Sequence, residues 1–121
     1  MLHRRDLDAM LTRQRRAFAQ HPRDPQAILV ASTRNEDEPL TLRLDGPILT
    51  IRVRVAAAEN LTEPTMKRML ILNAQVLIHA AFGIRGDDTV LEASLATEHF
   101  DEHVLSETLA EIDLVRDEGL P

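Results

Sequence analysis

Residues 98–103, EHFDEH, place two histidines, three acids and a phenylalanine in six positions. On a continuous helix His99 and His103, four apart, share one face and with an adjacent carboxylate form a divalent-metal site. A competing signal is Asp101, a strong helix N-cap standing just before a sustained helical pattern. If Asp101 caps, His99 lies outside the helix and His103 in its first turn, and the shared face does not exist. If Thr97 caps instead, the helix starts early enough to form it. No third histidine or cysteine stands at ligand spacing, and the glutamate of H-E-x-x-H is missing. The segment is therefore read as a helix entrance with no metal, His99 and His103 being the candidate ligands of the alternative metal-binding reading.

Other chemistry-bearing residues lack a constellation. His79 sits in a strand-like run on its less packed face, and Asp87 and Asp88 follow Gly86 as turn residues. Ser32, Ser94 and Ser106 have no nucleophile-elbow context. The chain has no cysteine, so thiol catalysis, thiolate metal sites and disulfides are excluded. No catalytic residue and no cofactor is expected, and the chain does not read as an enzyme. A different chemistry is offered by Arg43, Arg52 and Arg54, which alternation puts on the outward face of one hairpin. Three guanidinium groups on one sheet face suit an acidic segment of a partner, and these are the candidate partner-binding residues.

Composition limits the classes further. The 121 residues suffice for one domain, residues 1–121, able to bury about two thirds of its unfolded surface. With three Phe and no Trp or Tyr, the core must be aliphatic, and no aromatic platform exists for stacking bases. Net charge is −6, unevenly spread: residues 1–25 carry six Arg against three acids, and the rest is strongly acidic. An acidic body argues against nucleic acid. The charged start has no apolar stretch of signal-peptide length, and no run approaches the roughly 20 apolar residues of a membrane span. The expectation is a cytoplasmic protein with no membrane insertion.

Periodicity supplies the elements. Residues 4–20 read as an amphipathic helix with Leu7, Met10, Leu11 and Phe18 on one side, ended by HPRDP; together they make a basic segment over 1–25. AILVAST, 27–33, reads as a strand and RNEDEP, 34–39, as a turn. LTLRLD and ILTIRVRV alternate about Asp45-Gly46-Pro47. Setting Leu44 opposite Leu49 also sets Leu42 on Ile51 and sends Arg43 and Thr50, Thr41 and Arg52 to the other face. Residues 62–75 form a helix capped by Thr62, with Met66, Met69, Leu70 and Asn73 as its main stripe and Ile71 and Leu72 extending it. A helix apolar on more than one side is covered by a partner or deeply buried, so Met66, Met69, Leu70 and Ile71 are the candidate dimer contact. A second hairpin, LIHAAFGIR with TVLEASLA, is expected to oppose Ile84 and Leu91 across Gly86-Asp87-Asp88. Residues 101–118 form a last helix with Val104, Leu105, Leu109, Ile112 and Val115 inward, ended by Gly119. The order is α-β-β-β-α-β-β-α: an α+β domain with a five-stranded antiparallel sheet flanked by helices.

This order, with the stretch from Asn60 to Val115, resembles the type III secretion chaperones and the related YbjN-like bacterial proteins. The echo consists of a helix ending in a Leu-rich turn, a strand containing AFGI, a GDD turn, and VLEASL leading into an Asp-capped helix, over about residues 27–118. A partial likeness to an uncharacterised bacterial family associated with PspA-like phage-shock proteins rests on Phe82-Gly83-Ile84 and on Glu111-Ile112 with Val115. The resemblance implies a small acidic homodimer without catalytic residues, binding another bacterial protein as a chaperone-like protein or adaptor. In secretion chaperones the dimer buries a helix and a strand, and an extended client lies on apolar patches and sheet edges. The Arg-rich first helix departs from that pattern. It motivates the alternative of a stress or envelope-signalling regulator that docks a PspA-like partner through Arg13, Arg15 and Arg16.

Overall fold

Leu7 and Leu11, one helical turn apart, are both buried, and the helix that carries them begins where the Asp6 carboxylate accepts from the His3 backbone N–H at 2.9 Å. The computed structural model describes residues 2–32 and 38–118. Helix α1 spans Arg4–Arg13, not residues 4–20. Its end is a Schellman turn: Arg16 N–H donates to the Leu11 carbonyl and Arg15 N–H to that of Thr12, each at 3.0 Å. Arg15 occupies the left-handed position at φ 58°, where glycine is usual. After this reversal Phe18–Gln20 forms a strand, β1, antiparallel to β2 (Ala27–Val30) with Ala19 opposite Leu29. Phe18, assigned above to the helix, therefore packs on the core from a strand.

An L-residue in the left-handed region costs about 1–2 kcal/mol, partly offset by the extra chain entropy that glycine loses on folding. Arg15→Gly is thus expected to stabilise the protein by about 0.5–1 kcal/mol, raising Tm by a few degrees. An unchanged or lower Tm in a thermal melt would show that the Arg15 side chain offsets the strain.

The first hairpin has the expected register. β3 (Leu40–Asp45) pairs with β4 (Ile48–Ala57), setting Leu44 on Leu49, Leu42 on Ile51, Arg43 on Thr50 and Thr41 on Arg52. Gly46, at φ 58°, takes the first position of the two-residue turn. After a short 3-10 turn, Ala58–Asn60, helix α2 spans Glu63–Gln75, and the Thr62 hydroxyl accepts from the Thr65 N–H as its cap.

The second hairpin differs from its expected register by two residues. β5 (Ala81–Arg85) and β6 (Asp88–Ala96) pair Ile84 with Thr89 and Phe82 with Leu91. Asp88 is a strand residue opposite Arg85, and the turn is only Gly86-Asp87, with Gly86 at φ 60°. A shift of two keeps every side chain on its expected face, so Phe82 and Leu91 still point into the core. β5 also begins at Ala81, later than expected, because the preceding loop is held by helix α3 (Glu102–Glu118).

Among the described residues the sheet has six strands rather than five, in the order β1-β2-β3-β4-β6-β5, and all neighbours are antiparallel. The missed strand is β1. One sheet face carries Ile28, Val30, Leu40, Leu42, Leu49, Ile51, Leu91 and Ala93, and joins Leu7 and Leu11 of α1 and Leu105, Leu109 and Ile112 of α3 in a single core. The alternate positions, among them Thr41, Arg43, Arg52, Arg54, Glu92 and Ser94, form the opposite face. The expected strand end at Thr33, most of the turn at 34–39 and the stop at Gly119 fall outside the described residues.

Candidate functional site

At EHFDEH the Asp101 carboxylate accepts from the Val104 N–H at 2.9 Å and caps α3. His99 lies in the turn before the helix and His103 in its first turn, so the two do not share a helical face. His103 Nε2 instead lies 2.9 Å from Glu107 Oε1, and His79 Nε2 lies 3.3 Å from Glu107 Oε2. The two imidazoles approach different oxygens of one carboxylate. No group of three metal-ligand side chains is assembled among the described residues.

The arginine set does share the outward sheet face, and each member meets an acid of the same chain. Arg43 Nε reaches Asp24 and its Nη1 reaches Asp45, both at 2.9 Å; Arg52 reaches Glu92 at 2.7 Å and Arg54 reaches Asp88 at 2.8 Å. Arg85, absent from the sequence argument, joins Glu92 at 2.8 Å. Hydrogen bonds from the Gln26 N–H and from Arg43 hold the Asp24 carboxyl below its ordinary value. These exposed pairs stabilise the fold little, but they mean that an acidic partner segment must compete with resident carboxylates. The first helix behaves alike, Arg13 pairing with Glu102 at 2.6 Å and Arg4 with Asp8 at 2.8 Å, whereas Arg16, just beyond the helix, meets Asp113 at 2.8 Å in a nearly buried pair.

Glu92 is the best enclosed acid of this face, its side chain 12% exposed. Burial is the largest influence on it and opposes ionisation, but hydrogen bonds from Arg85 and Arg52, with their charges, together outweigh burial and lower its pKa from the usual 4.5. A depressed folded-state pKa contributes stability that is present above the unfolded value and lost as pH falls through the folded one. Stability should therefore fall on acidification below about pH 4.5, and Glu92→Gln should flatten that fall. Thermal melts over roughly pH 3 to 6 measure it; identical slopes for the two proteins would refute the assignment.

The two sheet edges differ. On β1, Ala17, Ala19 and His21 turn their backbone groups toward β2, shown by the bonds Ala31 N–H to Ala17 and His21 N–H to Ala27. Phe18 and Gln20 therefore point their N–H and C=O groups away from the sheet, and no described residue bonds them there. On β5 the outward groups of Phe82 are occupied, whereas those of Ile84, nearer the turn, are bonded by no described residue. The Asn73 side chain of α2 accepts from the Phe82 N–H at 2.7 Å and donates to the Phe82 carbonyl at 3.2 Å, as a neighbouring strand would. The Glu111 carboxylate of α3 accepts from the successive N–H groups of Ile78, His79 and Ala80 at 3.0–3.3 Å. Among the described residues edge β1 is open, and edge β5 is guarded at Phe82 and at the loop that precedes it.

Helix α2 sets its four singled-out residues apart. Met69 is 6% exposed and belongs to the chain's own core, whereas Met66, Leu70 and Ile71 are 43%, 67% and 46% exposed. Ile84 of β5, missed in the sequence and 59% exposed, lies on the sheet face that α2 flanks. Its exposure follows from its place near the hairpin end, which alternation alone does not reveal. No helix among the described residues is long and apolar enough to cross a membrane.

The model of the CesT_Tir_1 family matches residues 3–118. Among solved structures, the chain is similar to a chain of the heterodimeric ExoU-SpcU complex from the type III secretion system of Pseudomonas aeruginosa, with a TM-score of 0.72 and 10% identity over 93% of this chain and 93% of that one. It is also similar to YbjN from E. coli, with a TM-score of 0.68 and 13% identity over 99% of this chain and 96% of that one. At these identities the structural likeness concerns the fold. No curated protein matches the sequence significantly. The resemblance to secretion chaperones and YbjN-like proteins, read from the AFGI strand, the GDD turn and the Asp-capped helix, is borne out.

Proposed function

The chain belongs to the CesT_Tir_1 family, a family of type III secretion chaperones, and from that premise we propose that it is a non-enzymatic polypeptide-binding protein acting as a cytoplasmic homodimer. The observation that carries this reading is the contrast between the two sheet edges. Strand addition needs a row of free backbone donors and acceptors, and Phe18 and Gln20 offer one on β1, while at the other edge Asn73 occupies the groups of Phe82 and Glu111 those of the loop just before β5, leaving Ile84 alone. The similar ExoU-SpcU structure is a heterodimeric secretion-system complex, which agrees with binding a second protein. In this reading Met66, Leu70 and Ile71, extended by Ile84, meet the same surface of a second copy, an isologous contact. Met69 supports that surface from beneath. Arg43, Arg52 and Arg54 orient an acidic stretch of the client through exchange of ion pairs.

The test is photo-crosslinking in native cells, with p-benzoylphenylalanine replacing Ala19 of β1 or, as the comparison, Ala81 of β5; both residues are exposed. The expected result is one discrete polypeptide adduct from position 19 and none of that mass from position 81. The same adduct from both positions, or from 81 alone, would contradict binding at the β1 edge.

A further inference from the structure

The loop from β1 to β2, residues 21–26, reads HPRDPQ. Pro22 and Pro25 have no N–H, so after His21 the loop carries three backbone donors, those of Arg23, Asp24 and Gln26. The Gln26 N–H donates to Asp24 Oδ1, and the Arg23 and Asp24 N–H groups both donate to His21 Nδ1, all three at 3.0 Å. A backbone N–H can only donate. His21 Nδ1 is therefore an unprotonated acceptor, and the ring is the neutral tautomer with its proton on Nε2. The arrangement is an Asx turn in which an imidazole replaces the carboxamide.

This loop holds the open edge. β1 is three residues long and lies at the end of the sheet, paired with β2 alone. The pairing ends at the His21 N–H, which donates to the Ala27 carbonyl at 3.1 Å across the neck of the loop. The charged groups around the ring are Arg23 and Asp24 of the loop, Arg43 of β3 with Asp45 beside it, and Arg4 of α1, which bonds Gln20 and pairs with Asp8. Asp24 attracts a cationic His21, but its carboxylate is already held by Arg43 and the Gln26 N–H.

We propose that His21 is an acid-sensitive latch of the β1 edge: a proton added at Nδ1 turns the acceptor into a donor, frees the Arg23 and Asp24 N–H groups together and loosens β1. The inference rests on the edge-binding reading and deepens it by adding regulation, the release of a polypeptide paired on β1 as pH falls. Histidine changes charge between about pH 5 and 8, whereas Asp24, held below its ordinary value, stays ionised over that span. The added proton sets three donors against one another where two had met an acceptor, so the loop opens.

The test is amide hydrogen exchange by NMR on the free protein, corrected for intrinsic rates, at about pH 7.5 and about pH 5.5. It compares the wild type with His21→Asn, whose carboxamide oxygen accepts from the same N–H groups without titrating. In the wild type the Arg23 and Asp24 amides are expected to lose their protection at the lower pH. Protection of Ala19 and His21 should fall about tenfold, with Ile51 and Leu91 of the inner strands unchanged. His21→Asn should keep its protection at all these positions. Protection unchanged between the two pH values, or lost equally in His21→Asn, overturns the latch and leaves the edge reading intact. Loss confined to Arg23 and Asp24 overturns the control of β1, and loss that spreads to Ile51 and Leu91 overturns a local device. The edge reading fails separately, in the photo-crosslinking from position 19.

Discussion

Replacing Leu70 and Ile71 together by glutamate is expected to convert the proposed dimer into a folded monomer. Both side chains are largely exposed in the single chain, at 67% and 46%, so little of the monomer's own core is disturbed. In a two-fold contact each substitution acts twice, removing four partly exposed aliphatic side chains from the interface. At about 1 kcal/mol for each, below the value for a fully buried residue, association weakens by about 4 kcal/mol, roughly a thousandfold. Introduced carboxylates facing one another add repulsion. Analytical ultracentrifugation with far-UV circular dichroism separates the outcomes. A monomer with unchanged helicity is the expected result, and an unchanged dimer mass refutes the interface. Met69→Glu should behave differently, because Met69 is 6% exposed and belongs to the core; it should lower Tm.

The largest stability effect is expected at Asp113. Its carboxylate meets Arg16 Nη2 at 2.8 Å with the side chains 9% and 11% exposed, and it also accepts from the Ser32 hydroxyl at 3.2 Å. Asp113→Ala would leave a buried guanidinium whose Nη1 already lacks a partner. Breaking a buried pair from one side costs about 3–5 kcal/mol, a large part of the roughly 5–15 kcal/mol typical of a whole domain. The double replacement Arg16→Met with Asp113→Leu should recover most of the loss, since an apolar pair carries no desolvation penalty. Urea denaturation of both variants reads the effect. A cost under about 1 kcal/mol for Asp113→Ala would mean that the pair behaves as a solvated one.

Legibility in the sequence followed the range of the interaction. The β3–β4 hairpin could be read because alternation over its strands admits one register, the one observed from Thr41–Arg52 to Asp45–Ile48. β1 could not be read. Three residues are too few to show a period, and the turn that releases them from α1 has Arg15 where glycine would have signalled a stop. The β5–β6 register was misjudged by two residues because Asp88 has the chemistry of a turn, yet pairs with Arg85 in the ladder. The arginine face was foreseen as a face, but its neutralisation was not, since Arg52 and Glu92 lie 40 positions apart. The guards of the β5 edge were hidden for the same reason: Glu111 acts on residues 31–33 positions away, and Asn73 had been assigned to an apolar stripe. The apolar excess of α2 was visible from its pattern, whereas its division into buried Met69 and exposed Met66, Leu70 and Ile71 required the packed structure.

The central claim, that this member of the CesT_Tir_1 family holds another polypeptide, is tested most directly by native mass spectrometry of the tagged protein isolated from its own cells at low and moderate salt. The account predicts a complex of two copies of the chain with one further polypeptide in fixed ratio. The bare chain alone at both salt concentrations, as monomer or dimer, would contradict it.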